Sequence, residues 1–133
     1  KDIIDNQGEL VAQVYNMDKF ESTVFPTPDN CSFQFGFGAI PRAKELEAHI
    51  HKDFTREIPN TAEFIFVLSG QVDVDVLSNA EILLERVELS ANMAILQFIG
   101  GHKISIHEGT RYFELKQGPY FGKDKDKYIL EGF

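Results

Sequence analysis

His49-Ile50-His51 and, after a polar insert, Thr61-Ala62-Glu63-Phe64-Ile65-Phe66-Val67-Leu68-Ser69-Gly70 make up the stretch on which the reading of this chain turns. Successive side chains of a strand point to opposite faces, so the imidazoles of His49 and His51 project to one side as a pincer for a metal ion. Glu63 opens a densely apolar segment and can be carried on the following strand to the same interior. A third imidazole, His102, follows Gly100-Gly101. Only four histidines are present, so three of them fall into this arrangement.

Outward from that stretch the chain reads as a series of short strands. Glu9 to Tyr15 predicts a first strand, and Phe20 to Phe25 a short piece before the turn Pro26-Thr27-Pro28-Asp29-Asn30. Ser32 to Gly38 carries Phe33, Phe35 and Phe37 at strand period, as an aromatic core face. Lys44 to His51 sets Glu45, Glu47, His49 and His51 against Leu46, Ala48 and Ile50. Phe64 to Leu68 is apolar on both faces, whereas Val72-Asp73-Val74-Asp75-Val76 alternates with one face toward water. A strand apolar on both sides needs a second layer, so a neighbouring subunit is expected over Phe64 and Phe66, in a homodimer. Glu81 to Leu89, Met93 to Ile99, the strand after Gly101 and Arg111 to Lys116 complete the set. His102, Ile104 and Ile106 share one parity and His107 the other, which places His107 in an exposed turn. Tyr112, Glu114 and Lys116 share a face. No amphipathic helix or repeat is visible. Many short strands between Gly, Pro and Asn turns predict an all-β sandwich or barrel spanning residues 1–133 as one domain, with 119–133 as a C-terminal extension whose Lys/Asp run reads as a solvated surface.

Composition excludes several classes of function. A net charge of −8 opposes a nucleic-acid backbone as partner. No apolar run approaches the roughly 20 residues of a membrane span, and Lys1 to Asn6 do not read as a signal peptide. Cys31 is alone and has no disulfide partner, so a reducing cytoplasm is the expected compartment.

The central stretch resembles the first motif of the cupins, a His-x-His pair followed by Glu and, seven positions after the Glu, by Gly. Glu63 and Gly70 keep that spacing, while Lys52 to Ala62 lengthen the usual gap of three or four residues. Ser90-Ala91-Asn92-Met93-Ala94-Ile95-Leu96-Gln97-Phe98-Ile99-Gly100-Gly101-His102 resembles the second motif, with Asn92 at a common Gly position and without the usual Pro. The resemblance covers roughly residues 30 to 118. With Lys116-Gln117-Gly118-Pro119-Tyr120, it is most similar to small single-domain cupins encoded beside bacterial surface-polysaccharide genes. It implies a double-stranded β-helix, or jelly-roll, barrel.

Several ionisable groups buried together without an ion are costly, and a divalent metal turns their lone pairs into bonds. His49, His51, Glu63 and His102 are therefore the expected ligands, for Fe, Mn, Ni, Zn or Cu. Arg56 in the insert, Tyr112 and Lys116 are the candidate substrate-binding residues. Three classes of function stay open: a metal-dependent cupin binding or transforming a small molecule such as a sugar derivative, a metal-independent sugar isomerase or epimerase with a His base and Tyr112 or Tyr120 as acid, and a non-catalytic ligand-binding cupin.

Overall fold

A computed structural model describes residues 1–133. The strands are β1 (Asp2–Ile4), β2 (Leu10–Asn16), β3 (Glu63–Ser69), β4 (Gln71–Leu77), β5 (Leu83–Ser90), β6 (Met93–Gln97), β7 (Gly101–Ile106) and β8 (Arg111–Lys116). Helix is confined to a 3-10 turn at Met17–Lys19 and one turn, α1, at Lys123–Asp126. No helix is long and apolar enough to cross a membrane. All pairing is antiparallel, in a five-stranded sheet of order β1-β2-β6-β3-β8 and a three-stranded sheet of order β5-β4-β7.

The alternation of Val72, Val74 and Val76 fixes the inner face of the small sheet, and all three are buried. Against them pack Val11, Val14, Ile65, Val67 and Ile95 of the large sheet, which gives one apolar core between the two sheets. Gly70 joins β3 to β4, where the chain leaves one sheet for the other. Its φ of +91° and the Thr110 backbone, 2.8 Å from where a Cβ would stand, leave room for glycine only. Asn92, at φ +67°, turns β5 into β6 in the left-handed conformation that Asn tolerates better than most residues, which explains how it stands in for Gly.

Phe64 and Phe66 do face away from this core, as their parity requires, but their cover comes largely from the chain itself. Residues 20–37 lie over the outer face of the large sheet with almost no ladder pairing, only the isolated bridge Val24–Phe37. The predicted strands at 20–25 and 32–38 are thus aromatic packing without a sheet. Phe35 stacks on Tyr15 with centroids 4.0 Å apart and approaches Phe64 at 5.9 Å, while Phe66 stacks on Phe113. Polar anchors hold the segment down: Gln13 Nε2 donates to Pro26 O at 3.0 Å, and Phe35 N donates to Thr27 Oγ1 at 3.0 Å. Burial pushes the Tyr15 phenol up to about 12, so it stays a donor, to Gln13 Oε1 at 2.7 Å.

The predicted strand at 44–51 is absent. Every residue from Ile40 to Glu57 is exposed, and none belongs to a strand or helix. An extended segment forms a strand only where another offers its backbone partners, and this chain brings none to it.

Candidate functional site

Strand register brings a polar group together at one end of the inner face. Glu63 on β3 stands opposite Gln97 on β6 and Lys116 on β8, and Glu114 stands opposite Ile65. Directly opposed residues share a face, so Gln97, Glu114, Lys116 and, opposite Val67, Tyr112 all turn the way Glu63 does. His102 opposes Val76, so the predicted parity of β7 holds and its imidazole enters from the other sheet. Its Nε2 lies 3.7 Å from Glu63 Oε2, with the two side chains 29% and 18% exposed, which is too long for a direct hydrogen bond.

The tautomer of His102 follows from its neighbour. Gln97 donates both amide hydrogens, to Ile99 O and Gly101 O at 2.9 Å each, so its Oε1 can only accept. His102 Nδ1, 2.9 Å from that oxygen, therefore carries the proton, and the Nε2 lone pair faces Glu63. Burial, then the Lys127 and Lys116 charges, hold the imidazole below its ordinary range against the opposing pull of Glu114, so it is neutral at pH 7. Glu63 moves the other way. Burial first, then its hydrogen bond and charge repulsion with Glu114, raise its carboxyl from 4.5 to about 7. The contact is accordingly between a carboxyl that retains its proton to near neutrality and a neutral imidazole, not a standing ion pair.

Lys116 sits beside this pair and is held by Asp126 at 3.2 Å, which raises its pKa mainly through that hydrogen bond. Asp126 lies in α1, so the Lys/Asp run read as a solvated surface in fact folds back onto the site. Gly100, at φ +80°, packs against Leu77 O and lets β7 begin next to Gln97.

Of the expected metal ligands, the chain folded on itself brings only Glu63 and His102 together. His49 and His51 lie on the exposed segment, where their rings meet only each other at 5.0 Å and His49 Nδ1 contacts Glu47 O at 2.8 Å. No three His, Cys, Asp or Glu side chains are grouped to hold an ion. The donor set offered by one chain therefore does not fit a four-ligand metal centre. The physical reason is the missing strand: parity puts both imidazoles on one side only if 44–51 is paired. Among the candidate substrate-binding residues, Tyr112 and Lys116 are on the inner face, whereas Arg56 lies on the exposed segment with its guanidinium 3.7 Å above the Phe54 ring. Arg56 also borders an open depression of about 1340 Å³ shared with Cys31, Asn79 and Phe98. His107 is outside the cluster, as expected, bonded to Asp73 at 2.7 Å.

Gln97 and Glu114 are the site residues that sequence reading passed over. The signal for Gln97 was a single amide inside the apolar run Met93–Phe98, at the parity of Ile95. Comparison with models of protein families, with curated proteins and with solved structures finds no match.

Proposed function

We propose that the chain is a cupin-type jelly roll whose inner polar cluster binds a small, sugar-like molecule and moves a proton on it. The observation that carries this reading is the opposition of a protonated carboxyl, Glu63, and an imidazole lone pair, His102 Nε2, 3.7 Å apart in a partly desolvated site. A carboxyl that burial keeps protonated to near neutrality and an imidazole that burial keeps neutral can serve opposite ends of one hydroxy-carbonyl unit. In such a step His102 takes the proton from the carbon next to the carbonyl, while Glu63 gives its own to the carbonyl oxygen. Return of the carbon proton from His102 to the former carbonyl carbon, while the Glu63 carboxylate takes the proton of the neighbouring hydroxyl, completes an isomerisation with no net redox change and restores both groups. Lys116 adds positive charge where the enediol oxygen develops, and Tyr112 supplies a hydroxyl on the same face.

Exchange of a carbon-bound hydrogen with deuterated water tests it, followed by NMR on hydroxy-carbonyl sugars and their nucleotide derivatives. Deuterium should enter with the native protein and not with His102→Ala. No exchange in any of them, with no perturbation of the His102 ring signals, would refute the assignment.

A second reading keeps the divalent ion. It is favoured by the Nε2 lone pair beside the Glu63 carboxyl, two donors of the expected set already adjacent. Under it, elemental analysis should find Fe, Mn, Ni, Zn or Cu in the native protein and lose it in His51→Ala but not in His107→Ala.

A further inference from the structure

Lys116 reaches the inner cluster from the end of β8, an edge strand that pairs only with β3. Its parity turns it toward Glu63, which stands opposite, and toward Glu114, two residues earlier on the same face. An ammonium on a four-carbon stem is a mobile point charge, and these two carboxyls, whose charges act on it, are its nearest partners on the sheet. It bonds to neither. Its one hydrogen bond runs to Asp126 Oδ2 at 3.2 Å, and Nζ lies 5.4 Å from the centre of the Tyr120 ring, within cation–π range. Both partners come from the segment after β8.

The chain builds this bracket locally. Gln117 N closes the β8 ladder on Ala62 O at 2.9 Å, and Pro119, which has no N–H, cannot extend it, so the backbone leaves the sheet there. Tyr120 follows at once. The chain then returns in α1, where Asp126 N bonds to Gly122 O at 3.1 Å. Beyond it, Leu130 Cδ1 lies 4.0 Å from where a Gly101 Cβ would stand, so the segment crosses from the end of β8 to the start of β7, beside His102. Of the five charged residues 123–127 only Asp126 is drawn in, its side chain 16% exposed, while the other four face water. A solvated charge run would not single out one carboxylate in this way.

We infer that Asp126 and Tyr120 are positioning residues, which from the C-terminal segment hold the Lys116 ammonium clear of the Glu63 carboxyl. Neither touches a reacting atom; both act through Lys116. Without Asp126 the ammonium would fall onto Glu63 or Glu114, the anionic groups left around it, and would tie up the carboxyl in an ion pair. With Asp126 in place, a cation stands beside the cluster at a fixed point before any ligand arrives, and a charge fixed in advance needs no reorganisation during a reaction. The consequence for turnover rests on the proton-transfer reading: Lys116 is then aimed at the oxygen that becomes part of the enediol, while Glu63 stays free to give up its proton. The bracket itself does not depend on that reading.

Nitrogen relaxation of the lysine side chains, measured by NMR on the whole chain, tests the bracket directly. In the native protein the Lys116 ammonium should be restricted relative to that of Lys44, which lies on the exposed segment. Asp126→Asn should release it to the mobility of Lys44, and Tyr120→Leu, which leaves the ion pair in place, should loosen it part of the way. In the deuterium-exchange assay Asp126→Asn should lower the rate at saturating sugar about 10- to 100-fold with little change in KM. The same substitution should add nothing in a Lys116→Met background, a result that a purely structural role for Asp126 would not give. A native Lys116 as mobile as Lys44 would overturn the inference, as would a Lys116 unmoved by either substitution or effects of Asp126→Asn and Lys116→Met that multiply. Tyr120→Leu decides the matter alone if Asp126→Asn does not fold. Release of Lys116 by Asp126→Asn, with no deuterium exchange on any sugar in the native protein, would refute the proposed chemistry and leave the bracket standing.

Discussion

Glu63→Gln should make this protein more stable at neutral and alkaline pH, although it removes a charged residue from a polar cluster. The native carboxyl is raised from 4.5 to about 7 by burial and by Glu114. A carboxyl whose affinity for its proton is higher in the folded than in the unfolded chain favours folding below the unfolded value, and that advantage is lost as pH rises. The loss begins near pH 4.5 and is complete just above pH 7, where two facing carboxylates share a partly desolvated end of the core. A change from 4.5 to about 7 corresponds to roughly 3 kcal/mol. With 18% of the side chain still in water, that figure is an upper bound. Glutamine keeps the shape and a hydrogen bond to Glu114 without the charge. Urea unfolding of both proteins at half-unit steps from pH 4.5 to 8.5 should show the stability difference moving in favour of Glu63→Gln between pH 5 and 7.5 and then levelling off. A difference independent of pH would refute the assignment of a raised, partly desolvated carboxyl to Glu63. Direct NMR titration of the Glu63 carboxyl carbon offers an independent check.

Gln97→Leu should destabilise by about 2–4 kcal/mol, since it leaves Ile99 O, Gly101 O and His102 Nδ1 without their buried partner; nitrogen shifts of His102 should also report a mixture of tautomers in place of one. Gly100→Ala should cost roughly 2 kcal/mol or more, because its positive φ is unfavourable for alanine and the new methyl meets Leu77 O, measurable as a lower urea midpoint with unchanged slope. Phe35→Ala should cost about 3 kcal/mol by removing the ring that bridges Tyr15 and Phe64, with faster amide exchange across residues 20–37. His107→Ala should leave the Glu63 titration in place, because its partner Asp73 lies on the opposite face of β4.

Strand parity explains what was legible beforehand. The period of two is a local property, so the alternation in Val72–Val76 and the separation of His102 from His107 were readable from residue order. The same rule placed Tyr112, Glu114 and Lys116 together, and the turn at Gly70 followed from residues whose backbone needs are also local. Parity says which residues share a side, however, and not whether a segment has a neighbour. Residues 44–51 and 32–38 carry strand period as clearly as β4, yet neither is a strand in this chain, because a strand exists only through hydrogen bonds to another segment distant in sequence.

Register was likewise decided by tertiary structure. The pairing of Glu63 with Gln97 and Lys116, and of β7 with β4, set which ionisable groups meet. Composition determined an acidic chain, and local pattern determined its β class and its inner and outer faces. Only folding decided that Gln97 sets the His102 tautomer, that Glu114 faces Glu63 and raises its carboxyl, and that His49 and His51 stand apart from both, since each depends on distances between segments that no local periodicity encodes.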